Sequence, residues 1–354
     1  MTKKDKGNVL VIHGGGLIDA SLYVLMRIAF NMKSLFNQVF VGMYSFESFF
    51  TPNFIREYNN SLISEVIGKR GTYFGTCRGI DLCDPILFER AIKCLKDKGI
   101  TTIIVAGGDG SSRQIAETIE AFSSRGINII FPVPLTIDGI NGGISIGITE
   151  AVKESVRQIE NIVSTSLKTR DNCKFGVVMV ELQGRNRDDI MAKVLKKIIK
   201  EGRVADFKLS EIMLKVVPAN IETDEEKLID EINNSSEKTL VLVSEGAKEK
   251  NANLAIDNLS KKIDRKVRSL VVGHPSQSNN MTSVDSIEFY EQWVDEVCMI
   301  IADDQYGSYC IANIDWKYYK KPIDYYAKLN PRKAQQAELP EKLENLIVKY
   351  MSAK

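Results

Sequence analysis

The apolar run Thr101–Val105 passes directly into Ala106-Gly107-Gly108-Asp109-Gly110-Ser111, and this junction constrains the fold more than any other stretch. A short apolar run of this kind reads as a buried strand. A Gly-Gly-Asp-Gly turn at its end lets the backbone approach a triphosphate closely, and the helix that follows offers free N–H groups to phosphate oxygens. Asp109 is placed to hold Mg²⁺. A second apolar run, Asn128–Pro132, leads to Pro134-Leu135-Thr136-Ile137-Asp138, which puts another acid in the next strand-end loop. One acid for a metal and one for an attacking hydroxyl is the layout of a phosphoryl-transfer site. Taken singly, the glycine turn is compatible with a plain strand-to-helix turn, and Asp138 with an Asx-turn. Their order and their shared position at strand ends favour the chemical reading.

The rest of the chain keeps the same rhythm. Strands are expected at Asn8–Ile12, Val39–Tyr44, Phe175–Glu181, Thr239–Ser244 and Ser269–Val272. Helices are expected over Asp19–Lys33, from Asp84-Pro85 to Lys98, over Ser111–Ser124 and over Thr149–Ser164. Asp84 before Pro85 is a cap followed by a proline at the first turn, and Gly99 closes that helix. Asn233–Lys238 reads as an exposed loop, and the Lys- and Tyr-rich tail Asp315–Lys354 ends in an amphipathic helix, Leu339–Met351. Alternation of this kind predicts an α/β chain with mostly parallel sheets and helices on both faces. Ligands of such sheets bind beyond the carboxyl ends of the strands, where the Gly-rich and acidic loops fall.

Bulk properties narrow the function class. The 354 residues are enough for two domains sharing a cleft. A net charge of +1 argues against broad binding to nucleic acid or anionic membrane. No apolar run has transmembrane length, and the first residues are too polar for a signal peptide. The six cysteines are scattered without a Cys-x-x-Cys pair, so they read as reduced thiols of a cytoplasmic protein rather than a zinc site.

A series of motifs then carries a family resemblance. After Gly14-Gly15-Gly16 come Gly71-Thr72-Tyr73-Phe74-Gly75-Thr76-Cys77-Arg78, Gly107-Gly108-Asp109-Gly110-Ser111, Thr136-Ile137-Asp138, Glu181-Leu182-Gln183-Gly184-Arg185, Ser244-Glu245 and Gly273-His274. In this order and spacing the chain resembles the bacterial ATP-dependent 6-phosphofructokinases over roughly residues 7–310. The resemblance implies two three-layer α/β domains: 1–149 with 275–325 for nucleotide, and 150–274 with 326–354 for sugar phosphate and subunit contacts. It implies a homo-oligomer, dimer or tetramer, with MgATP-dependent phosphorylation of fructose 6-phosphate to fructose 1,6-bisphosphate, a step of glycolysis. The nucleotide-binding set it implies is Gly15, Tyr44, Arg78, Gly108, Asp109, Gly110 and Ser111, with Asp109 as the Mg²⁺ acid. Asp138 falls on the catalytic base, Thr136 beside the transferred phosphoryl, and Arg78 on the arginine that neutralises phosphate charge during transfer. The substrate set is Thr136, Asp138, Gly184, Arg185, Glu245, Arg268 and His274, with Glu245 accepting from a sugar hydroxyl and Arg268 reaching across a subunit boundary.

The departures are equally specific. The aspartate that the family places two residues after the base is missing from Asp138-Gly139-Ile140-Asn141. A phosphate-binding arginine is lost at Gln277, another falls at Gly176, and the effector arginines of the first helix fall at Leu25 and Ala29. Before Thr136, Leu135 matches neither the ATP-using nor the pyrophosphate-using members, whereas Gly110 matches the ATP type. These losses leave two readings open: an active sugar-phosphate kinase, or a catalytically impaired paralogue serving as a nucleotide-binding regulatory or structural subunit. Arg185 and Arg187 also remain open as solvated charges at a helix start, and Glu245-Gly246 as an ordinary turn. His13 reads as capping the first strand or lining its glycine loop.

Overall fold

The computed structural model describes residues 7–14, 21–69, 72–132, 148–168, 176–184, 187–247, 253–273, 284–303, 307–314, 317–325 and 341–352. The chain divides into two units, residues 1–147 with 280–334, and residues 148–279 with 335–354. In chain order the first unit holds β1 (Asn8–His13), β2 (Val39–Gly42), β3 (Ile55–Glu57), β4 (Ile100–Ala106) and β5 (Asn128–Phe131). The second holds β6 (Val177–Leu182), β7 (Arg203–Val204), β8 (Phe207–Lys208), β9 (Ile212–Val217), β10 (Lys238–Ser244) and β11 (Val267–Val272). The chain then returns to the first unit as β12 (Tyr309–Ile314) and β13 (Lys317–Pro322).

Helices of the first unit are α1 (Ser21–Met32), α2 (Asn60–Val66), α3 (Pro85–Asp97) and α4 (Asp109–Ser124). Those of the second are α5 (Ile148–Ser166), α6 (Asp188–Glu201), α7 (Glu225–Asn234) and α8 (Asn253–Lys261). Then α9 (Val284–Asp303) belongs to the first unit and α10 (Glu341–Ser352) to the second.

The first unit's sheet has the order β13-β12-β5-β4-β1-β2-β3, parallel except for its two edge strands. Strand periodicity sorts its side chains. Leu10, Ile12, Ile103 and Val105 join Phe88 and Ile92 of α3 and Ile115 and Phe122 of α4 in one core cluster. The helix α1 lies outside this cluster, packed on β1, β2 and α9, with Leu22, Leu25, Ile28 and Ala29 buried. Across that helix pair Tyr23 Oη donates to Glu291 Oε1 at 2.7 Å, and the Arg27 guanidinium pairs with Asp295 at 3.1 Å. Leu25 and Ala29, on which the resemblance places effector arginines, are therefore core positions here.

The second unit's main sheet, β11-β6-β10-β9, is parallel throughout. Val178, Val180, Leu182, Leu240 and Leu242 face α5, α6 and α10. The alternate residues Val177, Met179, Val241 and Val243 face α7 and α8. This is the doubly wound architecture that the alternation of strands and helices predicts.

Local starts follow the capping rules. Asp84 Oδ1 accepts from the N–H groups of Ile86 and Leu87, with Pro85 in the first turn of α3. Four expectations need correction or qualification. The second strand ends at Gly42 rather than Tyr44, because Tyr44 and Ser45 adopt left-handed φ of 55° and 57°. The expected loop Asn233–Lys238 begins inside α7 and ends on β10. The Lys- and Tyr-rich tail contributes β13, an edge strand whose lysines keep that edge from pairing further. Asp19, the expected first cap, lies outside the described residues. Among those residues, no helix is long and apolar enough to cross a membrane.

Candidate functional site

In the first unit β1 and β4 are neighbours, yet the chain leaves them towards opposite faces, through α1 and α4. A crevice opens at such a switch point, and ligands of doubly wound sheets bind there. Gly14 follows β1 and Gly107-Gly108 follow β4, so the glycines fall at this point. Gly14 N donates to Ala106 O at 2.7 Å, drawing the two strand ends together. Their approach leaves no room for side chains. A Cβ on Gly14 would lie 1.9 Å from Ser111 Oγ, and one on Gly107 would lie 3.1 Å from Gly14 Cα.

Ser111 is the buried wedge beneath this approach, at 5% exposure. Helix α4 starts directly above it, with Gly108 as N-cap and the first intrahelical bond from Ser112 N to Gly108 O at 3.1 Å. The N–H groups of Asp109, Gly110 and Ser111 thus precede any carbonyl they could reach within the helix. Gly110 faces open space, where an added Cβ would meet nothing within 4 Å. Free N–H groups, the positive end of a helix and an unobstructed approach are what a phosphate chain requires.

Tyr44 follows β2, the neighbour of β1, and Arg78 lies in the loop between α2 and α3. Tyr44 N donates to Phe74 O at 2.7 Å, and its ring lies on Gly75, whose Cβ would come within 2.5 Å of it. Farther along, Gln114 Nε2 of α4 donates to Ile80 O at 2.6 Å. The loop that carries Arg78 is therefore fastened to Tyr44 at one end and to α4 at the other. Arg78 itself is exposed, and its guanidinium makes no hydrogen bond or ion pair among the described residues. His13, at the end of β1, is 2% exposed. Burial holds its imidazole below the usual pKa, hence neutral, with Nδ1 3.4 Å from Gly14 O.

The second unit repeats the plan. From the neighbours β6 and β10 the chain leaves to opposite faces, through α6 and α8. Gly184 follows β6 at φ 115°, a conformation open to glycine, and Glu245 follows β10. The structure brings them together: Gly184 N donates to Glu245 Oε2 at 2.7 Å. Glu245 is half-buried, and its Oε1 makes no hydrogen bond to a described residue. A fixed carboxylate with one unused oxygen suits a hydroxyl donor.

Three further acids lie around this point. Arg187 binds Asp189 through two bonds of 2.7 and 2.9 Å, so it is a partly buried ion pair and not a solvated charge. Burial pushes the Asp189 carboxyl up, but Arg187 and Lys193 outweigh it and hold the group below its usual range. Asp188 is fully buried and accepts from Ala219 N, Asn220 N and Ser244 Oγ. Glu181 on β6 is 2% exposed, with Oε2 unpartnered. Burial first, then the charges of Glu245 and Asp257, push its pKa up to about 7.

Not every expected group joins these sites. Arg268 is exposed on the edge strand β11, opposite Val178, whereas Gly184 lies beyond Leu182 at the other end of β6. Four residue steps along a strand separate those levels by roughly 13 Å. Gly15, Thr136, Asp138, Arg185 and His274 lie outside the described residues, as does the side chain of Asp109. Among the described residues no group of three or more acids, histidines and cysteines could hold a metal ion.

Known proteins match this chain along most of its length. A family model described as phosphofructokinase matches residues 8–297, and the chain belongs to that family. The ATP-dependent 6-phosphofructokinase of Mannheimia succiniciproducens is 25% identical over 269 residues, 73% of this chain and 74% of that protein. The enzyme of the same name from Vibrio vulnificus is 25% identical over 244 residues, 66% and 67% of the two chains. Among solved structures, Pichia pastoris phosphofructokinase in the T-state gives a TM-score of 0.69 at 18% identity, covering 100% of this chain and 40% of that one. A pyrophosphate-dependent phosphofructokinase from Nitrosospira multiformis gives 0.69 at 16% identity, covering 97% and 91%. At these structural identities the likeness is one of fold, and the fold is the phosphofructokinase fold.

Two predictions follow from this geometry. Gly14→Ala must displace Ser111, so it should lower stability by about 1–3 kcal/mol, the usual cost of overpacking, and weaken nucleotide binding. Thermal melts and nucleotide titration check this, and wild-type values for both would sink the cradle assignment.

The second concerns Glu181. Because its folded pKa is about 7 against 4.5 for the free group, the folded state keeps a proton that the unfolded state has lost between those pH values. Stability therefore falls as pH rises through this window, on the order of 3 kcal/mol in all. The melting temperature of Glu181→Gln relative to wild type should rise between pH 5 and pH 8. A pH-independent difference would contradict the assignment.

Proposed function

We propose that this phosphofructokinase-family chain is a phosphotransferase that uses MgATP to phosphorylate fructose 6-phosphate at its 1-hydroxyl. The observation that carries the reading is the side-chain-free approach of Gly14 and Gly107 beside the open start of α4. Gly108, Asp109, Gly110 and Ser111 with Gly15 cradle the phosphates, Tyr44 borders them, and the unpaired Arg78 neutralises their charge. Gly110 supports a nucleotide donor, since its missing side chain leaves the helix start uncovered. Asp109 is the acid that holds Mg²⁺, which supplies charge neutralisation on the phosphates.

Asp138 takes the proton from the sugar hydroxyl, with Thr136 beside the transferred group. An aliphatic hydroxyl is a poor nucleophile until a base accepts its proton. In the second unit, Glu245 accepts from a sugar hydroxyl, while Gly184, Arg185 and His274 meet the sugar phosphate. Arg268, at the far end of an edge strand, serves a second copy of the chain, so a homo-oligomer belongs to this reading, as does a cytoplasmic location. The reading of a catalytically impaired paralogue is not favoured by the family match.

Purified protein given MgATP and fructose 6-phosphate should release ADP and the bisphosphate in equal amounts. Asp138→Asn should cut turnover by about two to four orders of magnitude and leave the MgATP dissociation constant unchanged. Absence of nucleotide binding at millimolar concentration would overturn the nucleotide site, and unchanged turnover in the variant would overturn the base. Turnover with pyrophosphate and none with ATP would reassign the donor.

A further inference from the structure

The Asp188 carboxylate is 0% exposed, and its described partners are donors rather than cations. The nearby cations Arg187 and Lys193 both go to Asp189. Its charge is met instead by Ala219 N at 2.8 Å, Asn220 N at 2.8 Å and Ser244 Oγ at 2.6 Å. It is also the first residue of α6, where the helix end favours negative charge. The donors come from two other places in the chain, the loop after β9 and the last residue of β10. One carboxylate therefore ties together the exits of three neighbouring strands.

The sheet does not need this tie. β10 and β6 are already in register to the pair Ser244–Leu182, and β10 pairs with β9 to Val243–Val217. Ladder hydrogen bonds fix the strands, and one more, from Glu245 N to Leu182 O at 3.0 Å, holds the Glu245 backbone; what they leave free is the direction of the Glu245 side chain and of the loops beyond. Burying a carboxylate costs several kcal/mol unless donors saturate it. The three donors are all taken from the strand exits. Two ties then join the same two segments: Asp188 to Ser244, and Gly184 N to Glu245 Oε2. The second leaves Glu245 Oε1 without a hydrogen bond to a described residue, and the first fixes the residue before Glu245.

We infer that Asp188 is a positioning residue for sugar-phosphate binding, acting through Ser244 to hold Glu245 and the Gly184 turn in their binding geometry. The inference rests on the proposed reading of Gly184 and Glu245 as contacts to the sugar phosphate. Asp188→Asn keeps the shape but presents an amide N–H₂ to at least one donor. Its effect should be read in the loops, not in the nucleotide cradle of the other unit.

The test is a double-mutant cycle read by calorimetric titration of fructose 6-phosphate, with MgATP affinity and melting temperature measured in parallel. Asp188→Asn should weaken fructose 6-phosphate at least tenfold and leave MgATP affinity within twofold. Glu245→Gln should weaken it as well, and in that background Asp188→Asn should add less than threefold. Ser244→Ala, which keeps both backbone donors, should weaken it in the same direction if Asp188→Asn fails to fold. Additive effects of Asp188→Asn and Glu245→Gln, or a lowered melting temperature with unchanged sugar-phosphate affinity, would overturn the positioning role while leaving the half-site standing. If Glu245→Gln changes nothing, or wild type binds no fructose 6-phosphate, the half-site reading fails and the role of Asp188 fails with it.

Discussion

Each unit depends on two neighbouring parallel strands whose chains must leave towards opposite faces. Hydrogen bonding holds β1 beside β4 and β6 beside β10, and right-handed crossovers then send the following helices to opposite sides. Packing cannot close the gap between the departing loops, so each sheet carries a crevice at its carboxyl edge. Gly14 and Gly107 of the first unit, and Gly184 and Glu245 of the second, lie at these two edges. In the first unit Gly14 and Gly107 come too close for a Cβ, so backbone meets backbone there over the Ser111 side chain. In the second it is bridged by a carboxylate, Glu245, on the Gly184 N–H.

The two edges solve opposite electrostatic problems. The first presents the positive end of α4 with the neutral buried imidazole of His13 at the end of β1. On the proposed reading this edge meets an anion largely with dipoles. The second buries several carboxylates and settles each differently. Asp189 takes the Arg187 guanidinium, Asp188 takes three N–H and O–H donors, and Glu181 keeps a proton to about pH 7. A proton on Glu181 removes a like charge from beside Glu245. On the proposed reading, the Oε1 of Glu245, without a hydrogen bond to a described residue, accepts from an incoming hydroxyl.

Much of the fold was legible because the strands are short apolar runs ended by glycine or acid, and α3 announces itself by Asp84-Pro85. The tight turn from β4 into α4 was legible for the same reason, since glycines directly after an apolar run mark a close strand-to-helix turn. What escaped depends on contacts distant in sequence. The run Val39–Tyr44 looks like continuous strand, but Tyr44 turns left-handed where Phe74 and Gly75 receive it. β13 hid in a polar tail because an edge strand keeps its lysines in water, as with Lys320 over the Tyr309 ring. Arg187 stays open as a solvated charge at a helix start, and Asp188 beside it carries no signal of its own in the sequence. Its burial is decided by donors 31 to 56 residues away, and no local pattern encodes that.

The same accounting bears on how the second unit would hold a phosphate. Arg187, which the sequence offers as a cation beside Gly184, is committed to Asp189 through two short bonds, and breaking a partly buried pair to free it would strand an acid. Arg268 lies at the opposite end of its strand, exposed at a sheet edge. On the proposed reading, the cationic part of sugar-phosphate recognition then falls to Arg185 and His274 of one chain and to the Arg268 of a second copy. A site divided in this way is complete only in an assembly. That ties the loss of arginines at Gly176 and Gln277 to a physical consequence: fewer charges remain to hold the phosphate, and the hydrogen-bonded geometry around Glu245 carries more of the recognition.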